Sequence, residues 1–142
     1  VLADGAVQRS KTVENGAIEL DEPADVVSCG LGFESLLSPM PIEIETQNGQ
    51  SVLRKKAIGE LRIRVYGSVG GEVRCGEDRY QTIVSRDVLE DFMDRAISEK
   101  DEVVLLNMIS GFERSTTIEL AQREPLPFNV NSMVVTYDVS ER

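Results

Sequence analysis

Residues 60–67 read Glu-Leu-Arg-Ile-Arg-Val-Tyr-Gly, ELRIRVYG, and the alternation in that stretch decides the fold class. In an extended chain, successive side chains point to opposite faces. Leu61, Ile63 and Val65 therefore share one face, while Arg62, Arg64 and Tyr66 share the other. The same rhythm returns at 115–122, where Ile118 and Leu120 oppose Thr117 and Glu119. It returns again at 128–137, where Phe128, Val130, Ser132, Val134 and Thr136 oppose Asn129, Asn131, Met133, Val135 and Tyr137. Both faces of that last run carry apolar groups, which predicts a strand lying centrally in a sheet or against another chain. Val103 to Asn107, VVLLN, is too short for periodicity to decide, but its β-branched start favours extended structure.

Turn residues divide the rest into short strands. Asp4-Gly5 and Asn15-Gly16 suit tight hairpins, because these residues tolerate positive φ. Val13 before the second turn, and Ile18 and Leu20 after it, predict a hairpin with one buried face. Ile42 and Ile44 are expected on one strand face with Glu43 and Glu45 on the other, followed by a turn at Asn48-Gly49. The glycines of GSVGGEVRCG, residues 67–76, predict a loop or a short irregular strand.

One segment departs from this rhythm. Val88, Leu89, Phe92, Met93, Ala96 and Ile97 recur at three- and four-residue intervals, Ser85 stands as an N-cap, and Asp87 and Glu90 place negative charge near the positive helix end. That predicts one short helix over about residues 86–98, against the competing reading of a long loop with local turns. The expected architecture is thus mainly β: a single antiparallel β-sandwich or barrel-like domain over residues 1–142 with one short helix.

Composition narrows the chemistry. The 142 residues contain no histidine and two cysteines, Cys29 and Cys75. That set cannot complete a four-ligand zinc site without carboxylates or a second chain, and it lacks the imidazole most nucleophilic hydrolases use as base. A Cys29–Cys75 disulfide and two buried free thiols are both compatible with the sequence. Gly30-x-Gly32 resembles a nucleotide loop only superficially: Ser35 takes the third glycine's place, and Pro39 and Pro41 end any helix behind it. Glu43 with Glu45 reads as a solvated strand face and not as a glycosidase pair. Asp87, Asp91 and Asp94 lack the dense spacing of a calcium loop and read as surface charge. The expectation is a non-enzyme without cofactor or metal.

The net charge of −10 is unevenly spread. Residues 1–50 carry 2 basic and 9 acidic groups, residues 51–80 carry 7 and 4, and residues 81–142 carry 6 and 12. Within the basic middle, Arg54, Lys55, Lys56, Arg62 and Arg64 form a candidate patch. It suits either DNA phosphates or, as the favoured use, pairing with carboxylates on an adjacent strand or subunit. No apolar run approaches the roughly 20 residues a membrane-spanning helix needs, so membrane insertion is not expected. The chain opens VLADGAVQRS, with neither Met nor a leader pattern, which suggests a piece of a longer protein.

In EPLP, residues 124–127, each proline removes an amide donor and favours extended geometry before it, so the stretch should join two strands and not lie within a ladder. Together with the earlier phrases, it carries a resemblance. Ala3-Asp4-Gly5, Val13 to Leu20, Gly30 to Ser35, Lys55 to Tyr66 and Pro125 to Val130 occur in the order in which similar phrases occur in the C-terminal region of tail nozzle (tail tubular protein B-like) proteins of short-tailed bacteriophages. Gly32-Phe33 stand where that family has Pro-Tyr, and residues 76–100 are poorly covered. The resemblance implies a structural, non-enzymatic tail module in the virion, present in the host cytoplasm during assembly or encoded by a prophage. Its implied partners are other tail proteins and copies of itself, with passing contact to genomic DNA. The alternative is a receptor- or carbohydrate-binding module at a tail extremity.

Overall fold

The computed structural model describes residues 1–43, 45–46, 49–50, 54–87, 95–108 and 111–140. Its strands are β1 (Leu2–Ala3), β2 (Ala6–Val7), β3 (Val27–Ser28), β4 (Ser35–Leu37), β5 (Glu45–Thr46), β6 (Gly49–Gln50), β7 (Lys56–Val65), β8 (Gly70–Cys75), β9 (Gln81–Val84), β10 (Val103–Asn107), β11 (Ile118–Gln122) and β12 (Val130–Val139). All pairings are antiparallel, in sheets ordered β2-β1-β3, β10-β7-β12 and β4-β11-β8-β9, with β5-β6 as a separate ribbon.

The stretch around ELRIRVYG is the centre of the molecule. β7 lies between β10 and β12, and Leu61 and Ile63 have no exposed surface. Ile63 faces Val104 on one neighbour and Met133 on the other; Leu61 faces Leu106 and Val135. The period-two reading of β7 therefore holds from Leu61 to Val65. It breaks at Gly59, which the β12 register skips between Thr136↔Glu60 and Tyr137↔Ile58. This β-bulge lets Ile58 and Leu61, three residues apart, both reach the core.

A second register shift corrects the expectation for β12. Val130 pairs with Val65 and Ser132 with Arg64, so Asn131 is an extra residue on β12. The extra residue inverts the alternation: Phe128 and Val130 pack on the core before it, and Met133, Val135 and Tyr137 after it. Apolar groups on both nominal faces thus arise from a bulge within one buried face. β12 is an edge strand and not a central one.

The four-stranded sheet contributes Val73, Cys75, Ile83, Val84, Ile118 and Leu120 to the same apolar cluster as Ile58, Leu61, Ile63 and Val65. Its β8 arises from the glycine-rich stretch expected to form a loop or short irregular strand. Gly70 and Gly71 take φ of +74° and +75°, which starts the strand in a conformation open to glycine, and the absence of a side chain at Gly71 leaves room for the Phe128 ring. The Pro-Leu-Pro stretch joins β11 to β12 as expected. The Pro127 carbonyl accepts the Val69 amide at 2.8 Å, and the Leu126 carbonyl accepts Gln122 Nε2 at 2.8 Å.

Ser68, fully buried, ties the β7–β8 connection to the start of β12. Its hydroxyl accepts the Asn129 amide at 2.8 Å and donates toward the carbonyls of Tyr66, at 3.0 Å, and Asn129, at 3.1 Å. Ser68→Ala should leave that amide without its partner and lower stability by about 1–3 kcal/mol, measured by urea denaturation, with the slope against urea unchanged.

The closed sandwich or barrel expected from the alternation is not formed. The sheets are open: among the described residues no strand pairing joins β10-β7-β12 to β4-β11-β8-β9, and each keeps free edges. The physical reason is the shortness of the strands at one margin. β4 has three residues and ends where Ser35, Leu36, Leu37, Leu120, Gln122, Phe128 and Val130 line an apolar pocket of about 260 Å³ instead of a sealed seam. No helix occurs among the described residues, and Ser85 to Asp87 and Arg95 to Glu99 are irregular. The rest of the expected helix, residues 88–94, lies outside them.

The first forty residues contribute little to the core. Ala3 is buried, and the Asp4-Gly5 hairpin forms with φ of 49° and 80°. Asn15-Gly16 also turns with positive φ, but it closes only a single bridge between Glu14 and Ala17, and Val13 is exposed where a buried face was expected. Ile42 packs on the core without joining a strand; Ile44 and the residues between β5 and β6 lie outside the described set.

Candidate assembly interface

The basic set separates into two places. Arg62 and Arg64 stand on the outer face of β7, opposite to Leu61, Ile63 and Val65. Their cross-strand neighbours are Leu105 and Val134 for Arg62, and Val103 and Ser132 for Arg64. Arg62 Nε forms an ion pair with Glu60 on its own strand at 2.7 Å. Val103, Leu105, Val134 and Tyr66 are each more than half exposed, so this open sheet face sets apolar side chains around the Arg62 and Arg64 guanidiniums, with Asn107, Ser132 and Thr136 among them. Lys55 is exposed and Arg54 half-buried, whereas Lys56 turns inward and is 3% exposed. The Lys56 ammonium lies 3.2 Å from Glu43, close enough for an ion pair but without hydrogen-bond alignment to any acceptor among the described residues. Lys56 therefore belongs to the interior, and Arg62 and Arg64 to the surface.

A second concentration of apolar surface lies on the N-terminal limb. Leu31 is 96% exposed, Met40 88%, Phe33 80%, Val26 68% and Val13 65%; Leu36 and Leu37 on β4 are also exposed and line the pocket. The limb is anchored near its end, where Arg123 Nε donates to Glu34 at 2.7 Å while its Nη1 reaches Glu72.

Arg123 also enters a network that sequence reasoning missed. Tyr80 lies beneath two guanidiniums, Arg123 at 4.3 Å and Arg74 at 4.7 Å from the ring centroid, and its hydroxyl donates to Glu119. Arg74 Nη2 donates to the same carboxylate at 2.8 Å, and Glu119 sits directly across from Arg74 in the β11–β8 register. The one signal in the sequence was the charge alternation of Glu72 and Arg74 along a strand; the strand order that sets Glu119 and Tyr80 beside them was not readable. The hydrogen bond from Tyr80 holds the Glu119 carboxyl below its ordinary value, and the same bond raises the Tyr80 phenol above its own.

These two shifts have opposite pH windows. Glu119 contributes stability that is present above the ordinary carboxylate pKa and lost as pH falls through its lowered one. Tyr80 contributes stability that is present below the ordinary phenol pKa and lost as pH rises through its raised one. Thermal midpoints of Tyr80→Phe and wild type, compared across that range, should differ most near neutrality and converge at both extremes. A constant difference at every pH would contradict the network.

Both cysteines are free. Cys29 is exposed, contrary to two buried thiols, and Cys75 is in the core, where burial, with Asp78 adding to it, pushes its thiol up to about 11 and leaves it protonated. Among the described residues no group of three or more His, Cys, Asp or Glu side chains is arranged to hold a metal. The aspartates Asp91 and Asp94 lie outside the described residues. Gly30 and Gly32 face open space, and the next element is β4 and not a helix whose amides could gather phosphates. No helix of the described residues is long and apolar enough to cross a membrane. Compared with protein-family models and with curated proteins, the chain matches none.

Proposed function

We propose that this chain is a non-enzymatic assembly module of a bacteriophage tail, working by burying apolar surface against neighbouring subunits. The observation that carries the reading is the N-terminal limb, where Leu31, Phe33, Met40, Val26 and Val13 each stand largely in solvent. So many large apolar side chains exposed within some thirty residues of sequence fit a segment that is covered in an assembly. The outer face of β10-β7-β12 suits the same role, since an apolar patch with arginine at its centre has the composition of an interface core. The tail assignment draws on the ordered phrases from Ala3 to Val130 described above, and places the module in the virion, with other tail proteins and copies of itself as partners.

The receptor- or carbohydrate-binding alternative draws less support. The tyrosine set among carboxylates, Tyr80, has guanidiniums over its ring and a bonded hydroxyl, so it is not free to stack on a sugar. The test is light scattering of the chain and of any longer product that contains it. A defined oligomer in either supports assembly; monomers in both overturn it.

A further inference from the structure

One edge of strand β12 is unpaired among the described residues, and β7 pairs with the other. The hydrogen bonds show which backbone groups face out. Val65 N–H donates to Glu102 on the β10 side at 2.9 Å, while Tyr66 N–H donates to Asn129 at 3.2 Å and Ser140 N–H donates to Lys55 at 2.8 Å. Alternating back from Ser140, the N–H and C=O groups of Asp138, Thr136, Val134 and Ser132 point at β7, in agreement with their partners Ala57, Glu60, Arg62 and Arg64. The backbone groups of Met133, Val135, Tyr137 and Val139 therefore point to the open edge.

Edge strands are ordinarily guarded by lysine, proline, inward-pointing charge or a bulge. From Met133 to Val139 the only charged residue is Asp138, and there is neither lysine nor proline. The Asn131 shift precedes this stretch, and the bulge opposite Thr136 and Tyr137 places its extra residue, Gly59, on β7 and not on the open side.

We propose that a second copy of this chain pairs antiparallel with this edge about a two-fold axis through Thr136, so that β10-β7-β12 continues into the same sheet of its partner. In this register Met133 meets Val139 of the second copy, and Val135 meets its Tyr137. Each outward N–H and C=O from Met133 to Val139 then gains a partner, and the half-buried side chains match apolar to apolar on the core face. On the outer face Thr136 meets Thr136, Val134 meets Asp138, and Ser132 meets Ser140. No like charges oppose one another, which is what a self-complementary two-fold contact requires. A strand offered by an unrelated protein would have no reason to reproduce that pattern.

This inference rests on the assembly reading and names its partner. Sedimentation of the intact chain should show a monomer–dimer equilibrium at concentrations on the order of 100 µM or below. Thr136→Lys and Thr136→Glu each place two like charges face to face at the axis and should weaken self-association at least about tenfold, while an equal mixture of the two variants should restore it. Val134→Lys should preserve or strengthen association, because the substituted side chain meets Asp138. Both positions are solvent-facing, but within the chain Val134→Lys meets Arg62 and Thr136→Glu meets Glu60, so these two should melt slightly below wild type, and association is compared well below every variant's melting point. Association indifferent to Thr136→Lys, or broken by Val134→Lys instead, overturns this edge contact and leaves the assembly reading standing. A strictly monomeric wild type overturns the contact as well, and the assembly reading is then decided by the longer product.

Discussion

Gly71→Ala is expected to destabilise the fold by about 2–4 kcal/mol, one of the two largest effects of any single substitution proposed for this chain. A Cβ at that position would stand 2.3 Å from Cε2 and 2.6 Å from both Cδ2 and Cζ of Phe128. Ordinary carbon contacts are about 3.5–4.0 Å, so the ring must move. The backbone adds to the penalty, since φ of +75° is a conformation L side chains rarely adopt. Phe128 borders the apolar pocket and has space to move into, but it sits two residues before β12, and its displacement would disturb the strand that carries the open edge. The measurement is a double-mutant cycle by chemical denaturation with Phe128→Leu. Removing the ring should relieve the steric part and leave the backbone part, giving a coupling of about 1 kcal/mol or more. Additive effects, or a Gly71→Ala variant as stable as wild type, would mean that Phe128 does not pack on β8.

Ile63→Ala should lower stability by about 2–5 kcal/mol. Ile63 has no exposed surface, lies in the middle strand, and is flanked in register by Val104 and Met133, so few neighbours can collapse into the space it leaves. At roughly 3–6 °C per kcal/mol for a domain of this size, the melting point should fall by about 6–30 °C. Val134→Ala, one residue along β12 from Met133, is the control: its side chain is 60% exposed, and the expected change in the dilute chain is within about 0.5 kcal/mol. Equal losses at the two positions would contradict the assignment of inner and outer faces.

What could be read from the chain were the properties that depend on near neighbours. Leu61, Ile63 and Val65 share a face because extended backbone alternates, and Ile118 with Leu120 follows the same rule. Asp4-Gly5 and Asn15-Gly16 turn because those residues accept positive φ, and Pro125 with Pro127 connects strands because neither can donate to a ladder. Strand pairing decided the rest. The bulges at Gly59 and Asn131 exist only against a partner, and Asn131 inverts the alternation so that β12 appeared two-faced. Gly70 and Gly71 read as a loop or a short irregular strand until Phe128, 57 positions from Gly71, supplied the reason for the missing side chain at Gly71. Lys56 could not be told from Lys55 by composition; one stands in solvent and the other beside Glu43 in the interior. The charged network around Tyr80 gathers residues 34, 72, 74, 80, 119 and 123, which only the order β4-β11-β8-β9 brings together. Alternation is a property of one strand, whereas closure depends on the lengths and edges of several. That is why the faces read correctly within β7 from Leu61 to Val65 and in β11, while the two-faced reading of β12 and the expected sealed body did not hold.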